Sequence, residues 1–393
     1  MPQHIEMEPT NRYPAGTIDQ MAAFINHGRV QRLLSDLVAI QSPSGSEGQL
    51  LRFIEHYLKQ SKMPSERQYV SRGRYNLIAS TGRAHGGSIL LNTHVDTVPV
   101  YASSPNRPFQ RGKFLFGRGS CDAKGSLAAM MLAIVALHHT RQTSSTPVTL
   151  ALTVGEENSG DGIERFIRDR PRFAFAIVGE PTDLKIAVTQ SGYVEFMLEA
   201  RAKSCHAFDP IVGQPILAIA RVIHQIDRHL SKMSGKPVHT FVRWIQGGEP
   251  DTYWYTRPSC SASVLVNTFP DSRIRVTAKA VRRIVSASRR EARGVVLKVR
   301  LEDWDEGLRT SKKSLAVRRL AVALRSLGIN PETSHLPSWT DGSTLTQVGI
   351  PTVLFGPGRL RDAHTDRECV DTNDVRTAAL ALVITVLSSR GAS

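Results

Sequence analysis

The sequence predicts an α/β fold: a mostly parallel sheet with a smaller α+β domain inserted into it. Three observations carry that expectation. VTLALTV (148–154), FAFAIV (173–178) and IPTVLF (350–355) are continuous apolar runs, as expected of strands buried on both faces. Helical patterns separate them, which favours crossover connections. Between about 190 and 300 the runs give way to alternation, as in GYVEFMLEARA, around the amphipathic QPILAIARVIHQIDRHL.

A chain of 393 residues is long enough for two domains, and 41% hydrophobic with 22% charged residues is ordinary for a globular protein. Fifty Lys and Arg against 35 Asp and Glu leave a formal charge of +15. No basic run is interleaved with aromatics, so the charge favours anionic small molecules over nucleic acid. The four cysteines form no C-x-x-C, which argues against a zinc ribbon and a disulfide framework and fits a reducing cytoplasm. No apolar run is long enough to span a membrane.

In chain order, residues 1–20 are expected to be an extension, 21–189 the first part of the larger domain, 190–300 the insertion and 301–393 the second part. A first helix is expected from Asp19 to Ile40, with Leu33, Leu34, Leu37 and Val38 on one face. Ser46 is a candidate N-cap for a second helix through Leu50, Leu51, Ile54 and Leu58. Asn76–Ser80 and Ser88–Asn92 read as strands, and Ser126–His139 as an almost wholly apolar helix. In the insertion, SVLVN and RIRVTAKAV read as strands. A helix resumes over Leu315–Leu327.

Charged residues then fall at telling places. SILLNTHVD ends a strand with His94, one spacer and Asp96, so both side chains leave on one side, and Asp96 can hold the second ring nitrogen of His94. Glu156 and Glu157 follow 148–154, Glu180 follows 173–178, and His364 follows 350–355. Asp122 lies among glycines ahead of the apolar helix. Ligands bind outside the carboxyl ends of strands in such sheets. Histidines and carboxylates without cysteine suit Zn²⁺, Co²⁺ or Mn²⁺, and the number of donors suits two ions sharing one carboxylate. One of the paired glutamates can then face the ions and the other the water they hold, as a general base.

THVDTVP, GRGSCDAKG, VGEEN, VGEPTD and FGPGRLRDAHTDRE, in this order, closely resemble the M20 metallopeptidases, from about His27 onward. That family includes acetylornithine deacetylase, succinyl-diaminopimelate desuccinylase, LysW-lysine hydrolases, aminoacylase and glutamate carboxypeptidases. The resemblance implies a zinc-hydrolase catalytic domain, with the insertion as a lid that makes a homodimer. It implies two zinc ions per subunit: Asp122 bridging, His94 and Glu180 at one ion, Glu157 and His364 at the other. Asp96 would orient His94, and Glu156 would be the base and then the acid. His206 would be the lid histidine that stabilises the oxyanion in the partner's site, and Asn267 a lid asparagine near the substrate.

Two departures accompany it. The substrate-binding arginine that many relatives carry has no clear counterpart in RIRVTAKAVRRI, where Arg282 or Arg283 could serve. Gly155 stands where many members have aspartate. The expected reaction is amide cleavage of a small N-acyl amino acid, of the N-acetylornithine or N-acetyllysine type. The alternative is a dipeptidase, carboxypeptidase or aminoacylase. No membrane or nucleic-acid partner is expected.

Overall fold

The computed structural model describes residues 16–100, 107–140, 146–169, 171–206, 208–209, 213–233, 239–248, 254–255, 257–270 and 274–388. The expected extension falls largely outside them. The chain forms two compact units. One comprises 1–188, 310–334 and 344–393, the other 189–309 and 335–343.

In the first unit the apolar runs become buried strands. The sheet runs in the order Ser65–Ser71, Arg74–Ser80, Val148–Thr153, Ile89–His94, Phe175–Val178, Thr352–Leu354 and Ile186–Gln190. Only its centre is parallel: Ile89–His94 pairs in parallel with Val148–Thr153 and Phe175–Val178, which itself pairs so with Thr352–Leu354. The outer pairings are antiparallel. The sheet is therefore mixed, not mostly parallel. The flanking strands Ser65–Ser71 and Arg74–Ser80 form a hairpin, and a hairpin needs no crossover helix to announce it. The helices Lys124–His139 and Thr372–Leu387 pack together and are buried along most of their lengths, so neither shows a polar stripe.

The first expected helix is two, Thr17–Phe24 and His27–Ala39. Asn26 breaks them and caps the second, accepting from Arg29 N at 3.0 Å. Thr17 and Met21 are buried, so the packed body includes residues 17–20. The helix Gly48–Gln60 follows Glu47 without a side-chain cap, and Ser46 lies outside it. Glu47 instead accepts from Gly45 N at 2.9 Å and binds Arg74.

The second unit has an antiparallel sheet in the order Thr240–Gly247, Ser259–Thr268, Gly192–Ala202 and Val295–Asp305. Val194, Phe196, Leu198 and Ala200 alternate inward against the helices Pro215–Met233 and Ile274–Glu291. RIRVTAKAV is thus not a strand. Its apparent alternation is short, and burial of Ile274, Ala278, Val281, Val285 and Ser288 at steps of three and four gives a helical stripe. No helix among the described residues is long and apolar enough to cross a membrane, and all four cysteines are free thiols.

Candidate metal centre

His94 is the last residue of the strand Ile89–His94 and is wholly buried. Neighbouring strands end at Thr153 and Val178, and the chain then delivers Glu156, Glu157 and Glu180 beside it. Asp122 arrives from the loop before the helix Lys124–His139. His364 follows the short helix Leu360–Asp362 with φ +57°, a left-handed conformation uncommon for a side chain with a Cβ.

These residues make three overlapping donor groups, each with its atoms within 4.8 Å of one another: His94, Asp122 and Glu180; Asp122, Glu157 and His364; and His94, Glu156 and Glu157. His94 Nε2 lies 3.2 Å from Asp122 Oδ1. His364 Nε2 lies 3.0 Å from Glu157 and 3.4 Å from Asp122 Oδ2. A tetrahedral ion with bonds of about 2.0–2.1 Å holds its donors roughly 3.3 Å apart. The donor types and spacings therefore fit divalent cations. Asp122 is shared by two of the groups, with one oxygen towards each histidine.

The electrostatics point the same way. Burial opposes a charge on His94, but Glu156, Asp122 and Asp96 outweigh it and push its pKa well above the ordinary value. Hydrogen bonds with Asp122 and Glu157 push His364 up to about 10. Burial would raise Asp122, but the two histidines hold it well below the usual carboxylate range. Burial, helped by the charge of Asp122, raises Glu157. Carboxylates crowded in a buried site draw positive charge towards themselves.

Asp96 has partners beyond His94. His94 Nδ1 meets the backbone carbonyl of Asp96 at 3.0 Å, and the nearest Asp96 carboxylate oxygen is 3.6 Å away. That carboxylate also accepts from Glu156 N and Glu157 N, each at 3.1 Å, and from Ser44 Oγ at 2.6 Å. It holds the turn that carries the glutamate pair.

Gly155 opens that turn at φ +75°. A Cβ there would stand 2.2 Å from Asp161 Oδ1 and 2.8 Å from Arg74 Nη2. The ion-paired Asp161, Arg74 and Glu47 fill the space beside the turn, so a side chain at 155 would have to displace them.

The other expected site residues lie in the second unit. His206 is exposed and bridges to Tyr255, with its Nδ1 accepting from Phe208 N at 3.3 Å. Asn267 lies near the end of the strand Ser259–Thr268 and donates to Pro337 O at 3.4 Å. Arg282 is exposed on the helix Ile274–Glu291. Sequence reasoning passed over Glu368, a buried carboxylate that accepts from Asp122 N. Its one signal was an acid four residues after His364, in a stretch that also holds Asp362 and Asp366.

The model of peptidase family M20/M25/M40 matches residues 90–388. The chain belongs to this family. A Pyrobaculum aerophilum protein named for LysW-lysine/LysW-ornithine hydrolysis is 30% identical, the match covering 91% of this chain and 96% of that one. An Aspergillus clavatus protein named a probable carboxypeptidase is 29% identical, over 85% of this chain and 76% of that one. Among solved structures, a tripeptidase from Staphylococcus aureus superposes with TM-score 0.78 at 18% identity, over 93% of this chain and 99% of that one. Family and donor cluster together make this M20 chain a metal-dependent amidohydrolase with a site of the two-metal kind.

Proposed function

We propose that the protein hydrolyses the amide bond of a small N-acyl amino acid, with N-acetylornithine- or N-acetyllysine-type substrates as the first choice. The observation that carries this is the meeting of His94, Asp122, Glu157, Glu180 and His364 around one shared carboxylate, with Glu156 beside them. Two divalent ions, zinc first and cobalt or manganese next, would be held by His94, Asp122 and Glu180 and by Asp122, Glu157 and His364. When bound they polarise the scissile carbonyl and acidify water.

The remaining chemistry belongs to the chain. A carboxylate oxygen of Glu156 takes the proton of the attacking water and later passes it to the departing amine nitrogen. Asp96 holds Glu156 in place through its backbone N–H. His206 donates to the oxyanion, Asn267 orients the substrate, and Arg282 is the candidate for its carboxylate.

The second unit is read as a lid through which two copies pair. Its edge strand Thr240–Gly247 exposes Phe241, Trp244 and Ile245, and the helix Pro215–Met233 leaves Ile216 and Leu217 exposed. An apolar sheet edge of this kind favours pairing with another chain. Four free thiols fit a cytoplasmic setting.

A dipeptidase or carboxypeptidase is the second reading, favoured by the name of the Aspergillus relative. A panel of N-acyl amino acids and dipeptides, assayed with zinc and with cobalt, separates the two. Turnover of acetylated ornithine or lysine above all dipeptides supports the first, and the reverse order supports the second. No hydrolysis of either class overturns both.

A further inference from the structure

Glu368 lies four residues past His364 and is 3% exposed. Its carboxylate takes four N–H donors. Oε2 accepts from Arg118 Nη1 at 2.6 Å and Gly119 N at 2.9 Å, and Oε1 from Cys121 N at 3.1 Å and Asp122 N at 3.0 Å. The Glu368 backbone carbonyl also accepts from Gly117 N at 3.0 Å. One residue thus gathers the whole loop before the helix Lys124–His139, reaching across 246 positions to the amide of Asp122.

A buried carboxylate is costly unless its oxygens are satisfied, and hydrogen bonds to an ionised group are among the stronger ones. What distinguishes Glu368 from an ordinary loop anchor is what it connects. Its own segment carries His364, and its donors include the backbone of Asp122. Those two side chains meet in one donor group, with His364 Nε2 3.4 Å from Asp122 Oδ2. His364 is also held at a positive φ, which persists only where the surroundings over-determine it.

We propose that Glu368 is a positioning residue for the metal centre, setting the spacing of Asp122 and His364 so that one divalent cation can engage both. The inference rests on the two-ion reading given above. Glu368→Gln keeps the size of the side chain but turns an NH₂ group towards N–H donors. Loss of such an outer partner typically lowers metal affinity about 10–100-fold.

The test uses the full chain, stripped with a chelator and titrated with Zn²⁺ against a chromophoric competitor. Co²⁺ visible spectra and thermal unfolding of the metal-free forms are measured alongside. The wild type should take up two ions. Glu368→Gln should hold one of them roughly 10–100-fold more weakly, with altered Co²⁺ absorption bands. A lower metal-free Tm with unchanged affinities and spectrum would mean a purely structural anchor and overturn the proposal. A wild type that takes up fewer than two ions overturns the two-ion reading, and this proposal with it. Should Glu368→Gln fail to fold, Arg118→Gln removes the 2.6 Å contact and leaves the three backbone donors in place. It should weaken the same ion by a smaller factor, and an unchanged affinity there also overturns the proposal.

Discussion

Asp96 Oδ1 accepts a hydrogen bond from the backbone N–H of Glu156 at 3.1 Å, while His94 is steadied by the Asp96 carbonyl. The Asp96 side chain therefore holds the backbone of the proposed base, while its charge also favours the protonated form of the proposed ligand His94. Asp96→Asn puts an NH₂ group where one of two backbone donors now points. It should lower kcat about 10-fold or more while metal content stays near that of the wild type. Loss of metal with little change in kcat per bound ion would return Asp96 to the role of orienting His94.

Glu156→Gln should abolish most turnover, because an amide cannot accept the proton of water. General bases contribute at least about 10²-fold, and that is the expected loss in kcat. Elemental analysis should find the metal still present. A variant that loses metal instead would mean that Glu156 and Glu157 have exchanged roles.

Gly155→Ala should destabilise the fold by about 1–3 kcal/mol, since it combines a left-handed Cβ with a clash against Asp161. Because Glu156 is the next residue, kcat should fall too. Adding Asp161→Ala relieves the clash but not the backbone strain, so denaturant titration should show only part of the stability return. Full stability in the single variant would contradict the packing described here.

Asp374 lies in the first turn of the helix Thr372–Leu387. Burial, with the charges of Asp371 and Asp183 nearby, pushes its carboxyl up to about 6. A carboxyl whose folded pKa exceeds its unfolded one near 3.9 favours the fold while protonated. That contribution is complete below about pH 4 and is lost as pH rises through 6. The full displacement corresponds to roughly 2.9 kcal/mol, and partial exposure and the helix N-terminus reduce it to about 1 kcal/mol. Asp374→Asn should therefore raise Tm at pH 8, and calorimetry should find a smaller gain at pH 5. A loss of stability at pH 8 would refute the sign.

His206→Ala should lower kcat by about 10²–10³ with a smaller change in KM, the usual effect of removing one oxyanion donor. Mixing His206→Ala subunits with Glu156→Gln subunits should recover part of the activity if each site is completed by its partner. Demonstrated subunit exchange without recovery would confine His206 to its own subunit or to no chemistry at all.

Much of the site was legible because several donors follow uninterrupted apolar runs, and such runs have few alternatives to a buried strand. His94, Glu157 and Glu180 were found that way, and the structure brings them together. Glu368 was not, since three of its four donors are backbone N–H groups that carry no residue identity. The bonds from Glu156 N and Glu157 N to the Asp96 carboxylate were missed for a related reason: side-chain spacing cannot reveal a bond to the main chain. RIRVTAKAV was read as a strand because IRV alternates for three residues before the helical stripe becomes visible. The strand Ser65–Ser71 escaped notice because it is polar and largely exposed.

The donor groups join residues made at very different times. Glu157 and His364 are 207 positions apart, an interval of about 10–40 s at ordinary rates of translation. Until that interval has passed, the emerging polypeptide has Asp122 and the glutamate pair but not the histidine that meets them. The centre can therefore be assembled only once the ribosome has delivered almost the whole of this sequence, and cations captured earlier would have to be held by a different set of ligands.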